Sequence, residues 1–229
     1  PLSETDLSPL ISVYIPTRNY AAYLETAIKS VLNQSFSNWE LIIVDDSSTD
    51  TTREIIDRYA SNTRIRPYRT LRHLGLIHAS NIALHAARGA YVVRLDADDW
   101  LQTFALKEFT RYLNSDPSLD MICPQMITID RIGGDIVLFP REDKLLFEHS
   151  INGAGCLIRK QKLLSIGGYD EDFVCQDGYY LIQKALQENW KIKLVKEAMY
   201  IYYQHPTSLS HDHKLIESTR TKIKEKLRS

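Results

Sequence analysis

Two acidic clusters each end an apolar run: Asp45-Asp46 follows Leu41-Ile42-Ile43-Val44, and Asp96-Ala97-Asp98-Asp99 follows Tyr91-Val92-Val93-Arg94-Leu95. Such runs read as buried strands, and in an open α/β sheet ligands bind in the crevice beyond the carboxyl ends of the strands. Carboxylates gathered there repel one another, and a pair about 4 Å apart costs roughly 4 kcal/mol at an effective dielectric near 20. A divalent cation relieves that repulsion, and ligation by oxygen favours a hard ion, Mg or Mn. The acids therefore point to a metal-dependent enzyme acting on a phosphorylated substrate. The plain alternative is that an aspartate after a strand caps the next helix. Capping accounts for Asp45-Asp46 as well as function does, but for at most one carboxylate of the second cluster.

The elements that must position these acids follow from periodicity. Leu10 to Ile15 is a short β-rich run ended by Pro16, and Leu24, Ala27, Ile28, Val31 and Leu32 mark one face of a helix. Leu41 to Val44 is a strand buried on both faces, and Thr51-Thr52-Arg53-Glu54 has the spacing of a capping box. A weaker strand at Ile65 to Tyr68, a helix from Ile77 to Ala87 and the strand Tyr91 to Leu95 complete a β-α-β-α-β-α-β order. That order implies a mostly parallel, doubly wound sheet. Leu106, Phe109 and Leu113 begin the helix after the second cluster. From Met121 the pattern changes to a strand, a turn at Arg131-Ile132-Gly133-Gly134-Asp135 and a return from Ile136 to Phe139, so the second half supplies the other wall of a cleft. Leu215, Ile216, Thr219, Ile223 and Leu227 form an amphipathic terminal helix.

Bulk properties narrow the class. At 229 residues the chain can bury a full core without staples, and a net charge of −1 argues against a nucleic-acid partner. Cys123, Cys156 and Cys175 are odd in number and far apart, which fits unpaired thiols in a reducing compartment. No run approaches the length of a membrane span. Neither a Gly-x-Gly-x-x-Gly after the first strand nor a Walker lysine loop is present, against ordinary dinucleotide and P-loop readings.

Several motifs in order carry a resemblance. Val13-Tyr14-Ile15-Pro16-Thr17-Arg18-Asn19-Tyr20, Ser30-Val31-Leu32-Asn33-Gln34-Ser35-Phe36, Glu40 to Asp50, and Ala90 to Asp99 resemble family 2 inverting glycosyltransferases. So does Gly167-Gly168-Tyr169-Asp170-Glu171-Asp172-Phe173 followed by Gln176-Asp177, which is similar to the acceptor-side signature of that family. The resemblance implies an α/β chain of the GT-A (nucleotide-diphospho-sugar transferase) fold, a mostly parallel Rossmann-like sheet with a smaller mixed acceptor-side sheet. It divides the chain into a linker remnant at 1–9, a single domain at 10–210 and the helix at 211–229. Within the domain, 10–100 would bind nucleotide and 101–210 the acceptor. Pro1 to Pro9 reads as the remnant of a longer polypeptide.

Carried over by position, Pro16, Thr17, Asn19 and Tyr20 would cradle the nucleotide, Asp46 would accept a hydrogen bond from the base, and Asp45 would brace the loop. Asp96 would meet the ribose, Asp98 and Asp99 the Mn or Mg ion, and Asp177 would act as general base. His205 is a candidate metal or phosphate ligand, with a hydrogen-bonded bystander as the alternative. The implied reaction moves one sugar from a nucleotide-sugar, UDP first and dTDP or GDP next, to a glycan, glycolipid or protein acceptor. Where the family often has Ala-Arg-Asn this chain has Ala79-Ser80-Asn81, and a later Tyr-Arg-x-His pattern reads Tyr202-Tyr203-Gln204-His205 here, again without the arginine. Those departures keep open a sugar-nucleotide-binding domain without catalysis. A nucleotidyltransferase is a weaker rival, because Pro16-Thr17-Arg18-Asn19 is too short to cradle a triphosphate.

The remaining candidates read more blandly. His211-Asp212-His213 lacks the spacing of a zinc site, and His73, His78 and His85 share no face at i, i+4 and read as structural or exposed. Trp100 is a sugar-stacking or a core residue, while Trp39 and Trp190 read as core or edge. Lys222, Lys224, Lys226 and Arg228 form a solvated face that could also meet anionic lipid, which places the protein in the cytoplasm with peripheral contact at the inner membrane face.

Overall fold

The computed structural model describes residues 9–130, 137–139, 153–205 and 213–228. The expected turn at 131–135, residues 1–8 of the linker segment and His211-Asp212 lie outside the described residues. The first half alternates as its periodicity predicts: β1 (Ile11–Thr17), α1 (Ala21–Leu32), β2 (Trp39–Asp45), α2 (Thr52–Asp57), β3 (Ile65–Arg69), α3 (Leu76–Ala86) and β4 (Tyr91–Arg94). All seven residues of β2 are buried, which is why it reads as a continuous apolar run. The second half adds β5 (Trp100–Leu101), α4 (Ala105–Ser115), β6 (Met121–Asp130), β7 (Val137–Phe139), β8 (Leu157–Arg159), α5 (Lys160–Ser165), α6 (Asp177–Gln187), β9 (Ile192–Gln204) and α7 (His213–Lys226).

The strands form a single nine-stranded sheet in the order β3-β2-β1-β4-β8-β6-β9-β5, with β7 paired to β6. β3, β2, β1 and β4 are parallel, in registers such as Ile11↔Trp39 and Ile11↔Tyr91. β8 runs antiparallel to both β4 and β6, so the mixed strands of the second half continue the parallel sheet edge to edge. The expected return strand is present as β7, antiparallel to β6 with Thr128 opposite Val137. The chain order reverses between β1 and β4, and that reversal opens the crevice at their carboxyl ends.

Helices cover both faces. On one, Leu24, Ala27 and Ile28 of α1, Ile55 and Ile56 of α2, and Leu106 and Phe109 of α4 pack on Ile11, Val13, Ile15, Leu41 and Ile43. On the other, Ile77, Ala83 and Leu84 of α3 and Leu181, Ile182 and Ala185 of α6 meet Tyr14, Ile42, Val44 and Val92. Trp39 and Trp190 are core residues, and Cys123, Cys156 and Cys175 are free and buried. The capping box at α2 does not form as expected. Instead Asp50 accepts from the backbone N–H of Thr52 at 3.0 Å and of Ala21 at 3.1 Å, so one carboxylate serves the starts of two helices.

α7 docks through a small cluster of its own, with fully buried Ile223 against Phe173 and Tyr180. Lys226 Nζ lies 2.6 Å from both Asp170 and Asp172, and Arg220 Nε donates to Gln176 Oε1 at 2.7 Å. The terminal helix thus grips the segment that leads into α6. Truncating a buried isoleucine to alanine costs about 2–5 kcal/mol. For Ile223→Ala in this satellite cluster we expect the low end, about 2 kcal/mol, with earlier proteolytic release of α7. A urea midpoint unchanged from the parent would remove α7 from this packing scheme.

Candidate active site

The ends of β1 and β2 are braced against each other before any ligand is considered. Asn19 holds a left-handed φ of 59°, a region asparagine tolerates better than most residues. Its Oδ1 accepts from Thr49 N–H at 2.8 Å, its own N–H donates to Ser48 Oγ at 2.9 Å, and Tyr20 N–H donates to Thr52 Oγ1 at 3.1 Å. Asn19, expected to touch nucleotide, is spent on shaping the loop. Pro16 and Thr17 are buried at the end of β1, and the Thr17 hydroxyl has no hydrogen-bond partner among the described residues. Half-buried Tyr20 turns its ring toward the second cluster: burial first, then the charges of Asp98, Asp96 and Asp99, push its hydroxyl well above the ordinary tyrosine range.

Asp46, expected to meet the base, is the hub of a hydrogen-bonded loop. Its carboxylate accepts from Thr70 Oγ1 at 2.8 Å, Leu74 N–H at 2.9 Å and Gly75 N–H at 2.7 Å, and lies 2.7 Å from His73 Nδ1. Burial works against the charge, but these partners outweigh it and hold the carboxyl below its usual range. Gly75, with φ of 98°, supplies the backbone that lets the loop turn into α3. A carboxylate offers about four acceptor sites, and donors of residues 70–75 occupy several of those of Asp46. It anchors the 70–75 loop.

The second cluster divides its labour. Asp99 is fully buried; Tyr200 Oη donates to one oxygen at 2.5 Å and Tyr203 N–H to the other at 2.8 Å. Asp99, expected at the metal, ties the acid loop to β9 through these two bonds. Asp98 keeps some exposure and has His205 Nε2 2.8 Å from Oδ2. His205, itself buried, stacks on Tyr23 at 4.8 Å and lies edge-on to Tyr20 at 6.1 Å, an aromatic seat rather than the solvated loop of a bystander. Asp96 is pushed up to about 6 by burial, with Asp98 and Asp177 adding to the rise and Arg94 opposing it. Trp100 is half-buried with its ring 6.2 Å from that of Tyr203.

Asp177 reaches the same place from the opposite half of the chain. It opens α6 after Gln176, a non-glycine residue at a left-handed φ of 61° whose side chain is held by Arg220. Gly153 lets the backbone pass close: a Cβ there would lie 2.9 Å from Gly178 Cα and 3.7 Å from Asp177 Oδ2. The carboxylate is buried against Arg94 Nη1. Arg94 Nε in turn lies 2.9 Å from Asp96 Oδ1, at ion-pair distance without hydrogen-bond alignment, and Nη2 donates to Asp96 Oδ2 at 3.4 Å. Burial disfavours the guanidinium charge, yet Asp177 and Asp96 outweigh it and raise the Arg94 pKa. Sequence reasoning passed over Arg94, although a lone arginine in an apolar strand was itself a signal.

Among the described residues no three His, Cys, Asp or Glu side chains gather into a protein-only metal cage. The donors present still suit a hard cation of the Mg or Mn kind, which takes one or two carboxylates and completes its shell with substrate phosphates. Asp98 and His205 offer an oxygen and a nitrogen at one point, beside acids whose crowding favours added positive charge. Elsewhere, His78 and His85 line one groove of about 800 Å³ between α3 and residues 166–172. They stand seven residues apart, two helical turns, so the i, i+4 test missed their shared face.

Compared with known proteins, the chain matches the model for glycosyl transferase family 2 over residues 12–149. It is 36% identical to chondroitin synthase of Escherichia coli over 126 residues, an overlap covering 55% of this chain and 18% of that protein. Its fold is similar to S. aureus TarS 1-349 solved in complex with UDP, with a TM-score of 0.73 and 22% identity over 86% of this chain and 61% of that one. It is equally similar to the mannosyltransferase PcManGT from Pyrobaculum calidifontis in complex with GDP-Man and Mn2+, with a TM-score of 0.73 and 17% identity over 97% and 65% of the two chains. These likenesses establish the GT-A fold. The chain spans less than a fifth of the length of that synthase.

The division of labour between neighbouring aspartates is open to a direct check. Removing a buried acceptor strands its donors at about 1–3 kcal/mol. Asp99→Ala should therefore destabilise the ligand-free protein by about 3 kcal/mol in urea, and Asp98→Ala by under about 1 kcal/mol. Equal losses would return Asp99 to the same role as Asp98.

Proposed function

The chain belongs to glycosyl transferase family 2, and from that premise we propose that it is an inverting, cation-assisted transferase. In this reading it moves one sugar from a nucleotide-sugar, UDP-linked by preference, to an acceptor hydroxyl in a single displacement. The observation that carries the reading is the shared guanidinium of Arg94, which brings Asp177 from α6 to the same mouth as Asp96 from the loop after β4. Residues 10–210 are the transferase domain, with the donor on 10–100 and the acceptor on 101–210.

Each group then has a task. Asp177 takes the proton of the acceptor hydroxyl as its oxygen bonds to the anomeric carbon; the bond from that carbon to the diphosphate oxygen breaks, and its electron pair leaves with the diphosphate. Such a base contributes typically 10²–10⁴-fold. Asp98 and His205 are the groups that would hold Mn or Mg. When bound, the cation supplies charge stabilisation to the departing diphosphate. Asp96 faces the ribose, and Pro16, Thr17 and Tyr20 form the nucleotide wall, with the unpartnered Thr17 hydroxyl as a ready donor or acceptor. Asp46, Asp99 and Asn19 act through the loops that they anchor. Preference for UDP is supported by the motif resemblance and by TarS having been solved with UDP, while PcManGT holds GDP-Man, so guanine is the alternative to test.

The acceptor is a glycan or glycoconjugate. We place the protein in the cytoplasm, with peripheral membrane contact through α7, where Lys222, Lys224 and Arg228 remain exposed while Lys226 is paired to Asp170 and Asp172. No described helix is long and apolar enough to cross a membrane.

Asp177→Asn should lower kcat by 10²–10⁴-fold while leaving UDP affinity within about twofold. Undiminished transfer by that variant would remove Asp177 as base. In thermal unfolding, UDP with Mn at 100 times Kd should stabilise by about 2.7 kcal/mol. That gain should vanish with chelator or in Asp98→Ala, and a gain indifferent to chelator would argue against cation assistance.

A further inference from the structure

We propose that Arg94 is a positioning residue for transfer, its guanidinium tying the acceptor-side carboxylate of Asp177 to the donor-side carboxylate of Asp96. The proposal rests on the reading of Asp177 as the base given above. Arg94 is 4% exposed and stands in the middle of the nine-stranded sheet, where an apolar side chain would otherwise pack. A buried charge persists only when paired, and here the pairing spans the two halves of the molecule. Nη1 meets Asp177 Oδ2, whereas Nε and Nη2 meet the two oxygens of Asp96 at 2.9 and 3.4 Å.

The fork geometry matters. A guanidinium presents several donors in one plane and serves two carboxylates at once, while an ammonium is a compact point charge that must favour one of them. Among the described residues, Arg94 is the one cation paired with Asp177. Asp96 faces it across Arg94, and Gly153 lies over it. The hydroxyls of Tyr14, from β1, and Tyr169, from the loop before α6, feel both Arg94 and Asp177. Tyr14 Oη donates to Tyr169 Oη at 2.5 Å, and burial leads the rise of both hydroxyls, Tyr169 to about 12, so neither is a source of charge. Without Arg94, the described groups around Asp177 would leave it a buried carboxylate facing Asp96 and two neutral phenols. Burial and a like charge both favour the protonated form, and a protonated Asp177 cannot accept from the acceptor hydroxyl. Arg94 thus fixes which oxygen is spent on the protein, leaving Oδ1 for the acceptor.

Arg94→Lys and Arg94→Met, made in the full chain, test this. Each should bind UDP with Mn, show kcat at least tenfold lower, and move the acid limb of the kcat/KM pH profile upward by about one unit or more. The shift should be larger for Met than for Lys, and guanidinium added to Arg94→Ala should restore part of kcat. A folded, UDP-binding variant with kcat within twofold of the parent and an unmoved acid limb would overturn the proposal. So would failure of all three variants to fold, since Arg94 would then serve the fold rather than Asp177. Full activity in Asp177→Asn would defeat the underlying assignment of the base. An inactive Asp177→Asn beside unchanged Arg94 variants would defeat this inference alone.

Discussion

Negative charge concentrated at the buried ends of strands must be compensated, and much of the local architecture follows from how each carboxylate finds its partner. Asp177 and Asp96 share Arg94, Asp46 takes the hydrogen bonds of the 70–75 loop, and Asp99 takes Tyr200 and Tyr203 of β9. In the second cluster Asp96 and Asp98 keep partial exposure, and Asp98 has a histidine neighbour. The acids thus sort into those that build the mouth and those free to meet a ligand. Charge at low dielectric is tolerable only where a specific donor or cation answers it.

The same accounting explains why the start of α6 is held so firmly. Asp177 lies at the start of a helix, and a helix start moves with the loop before it. That loop is pinned from three directions: by Arg94 beneath, by Gly153 packed against Gly178, and by α7 through Arg220, Ile223 and Lys226. The unfavourable left-handed conformation of Gln176, of a kind that costs on the order of 1 kcal/mol or more, persists because its surroundings over-determine it. The long strand β9, between β6 and β5, contributes in a parallel way, bringing Tyr200 and Tyr203, and His205 just after it, to the acid loop.

Much of the fold was legible because burial imposes period. The continuous apolar run of β2, the α1 face of Leu24, Ala27, Ile28 and Val31, and the α4 face of Leu106, Phe109 and Leu113 emerge where the spacing places them. The short β5 and β8 and the helix α5 escaped because two to six residues carry too little periodicity to read. The α2 cap was misassigned because Thr51 and Asp50 are both good capping residues, and only proximity to α1 decides in favour of the aspartate that can serve both helices.

For the site, the chain by itself determined which residue types could do chemistry and in what order they occur: acids closing two strands, and a later acid opening a helix. Chemical type and strand register are local properties, written into composition and spacing. What only tertiary structure decided was which of those acids are spent. Asp46 and Asp99 look the same in sequence as Asp98, yet their oxygens are claimed by Leu74, Gly75, Tyr200 and Tyr203, residues 28 to 104 positions away. The role of Arg94 is likewise invisible locally, since one of its partners is two residues distant and the other 83. Hydrogen-bond capacity is filled by whichever donors the fold brings near, and that competition is settled in space rather than along the chain.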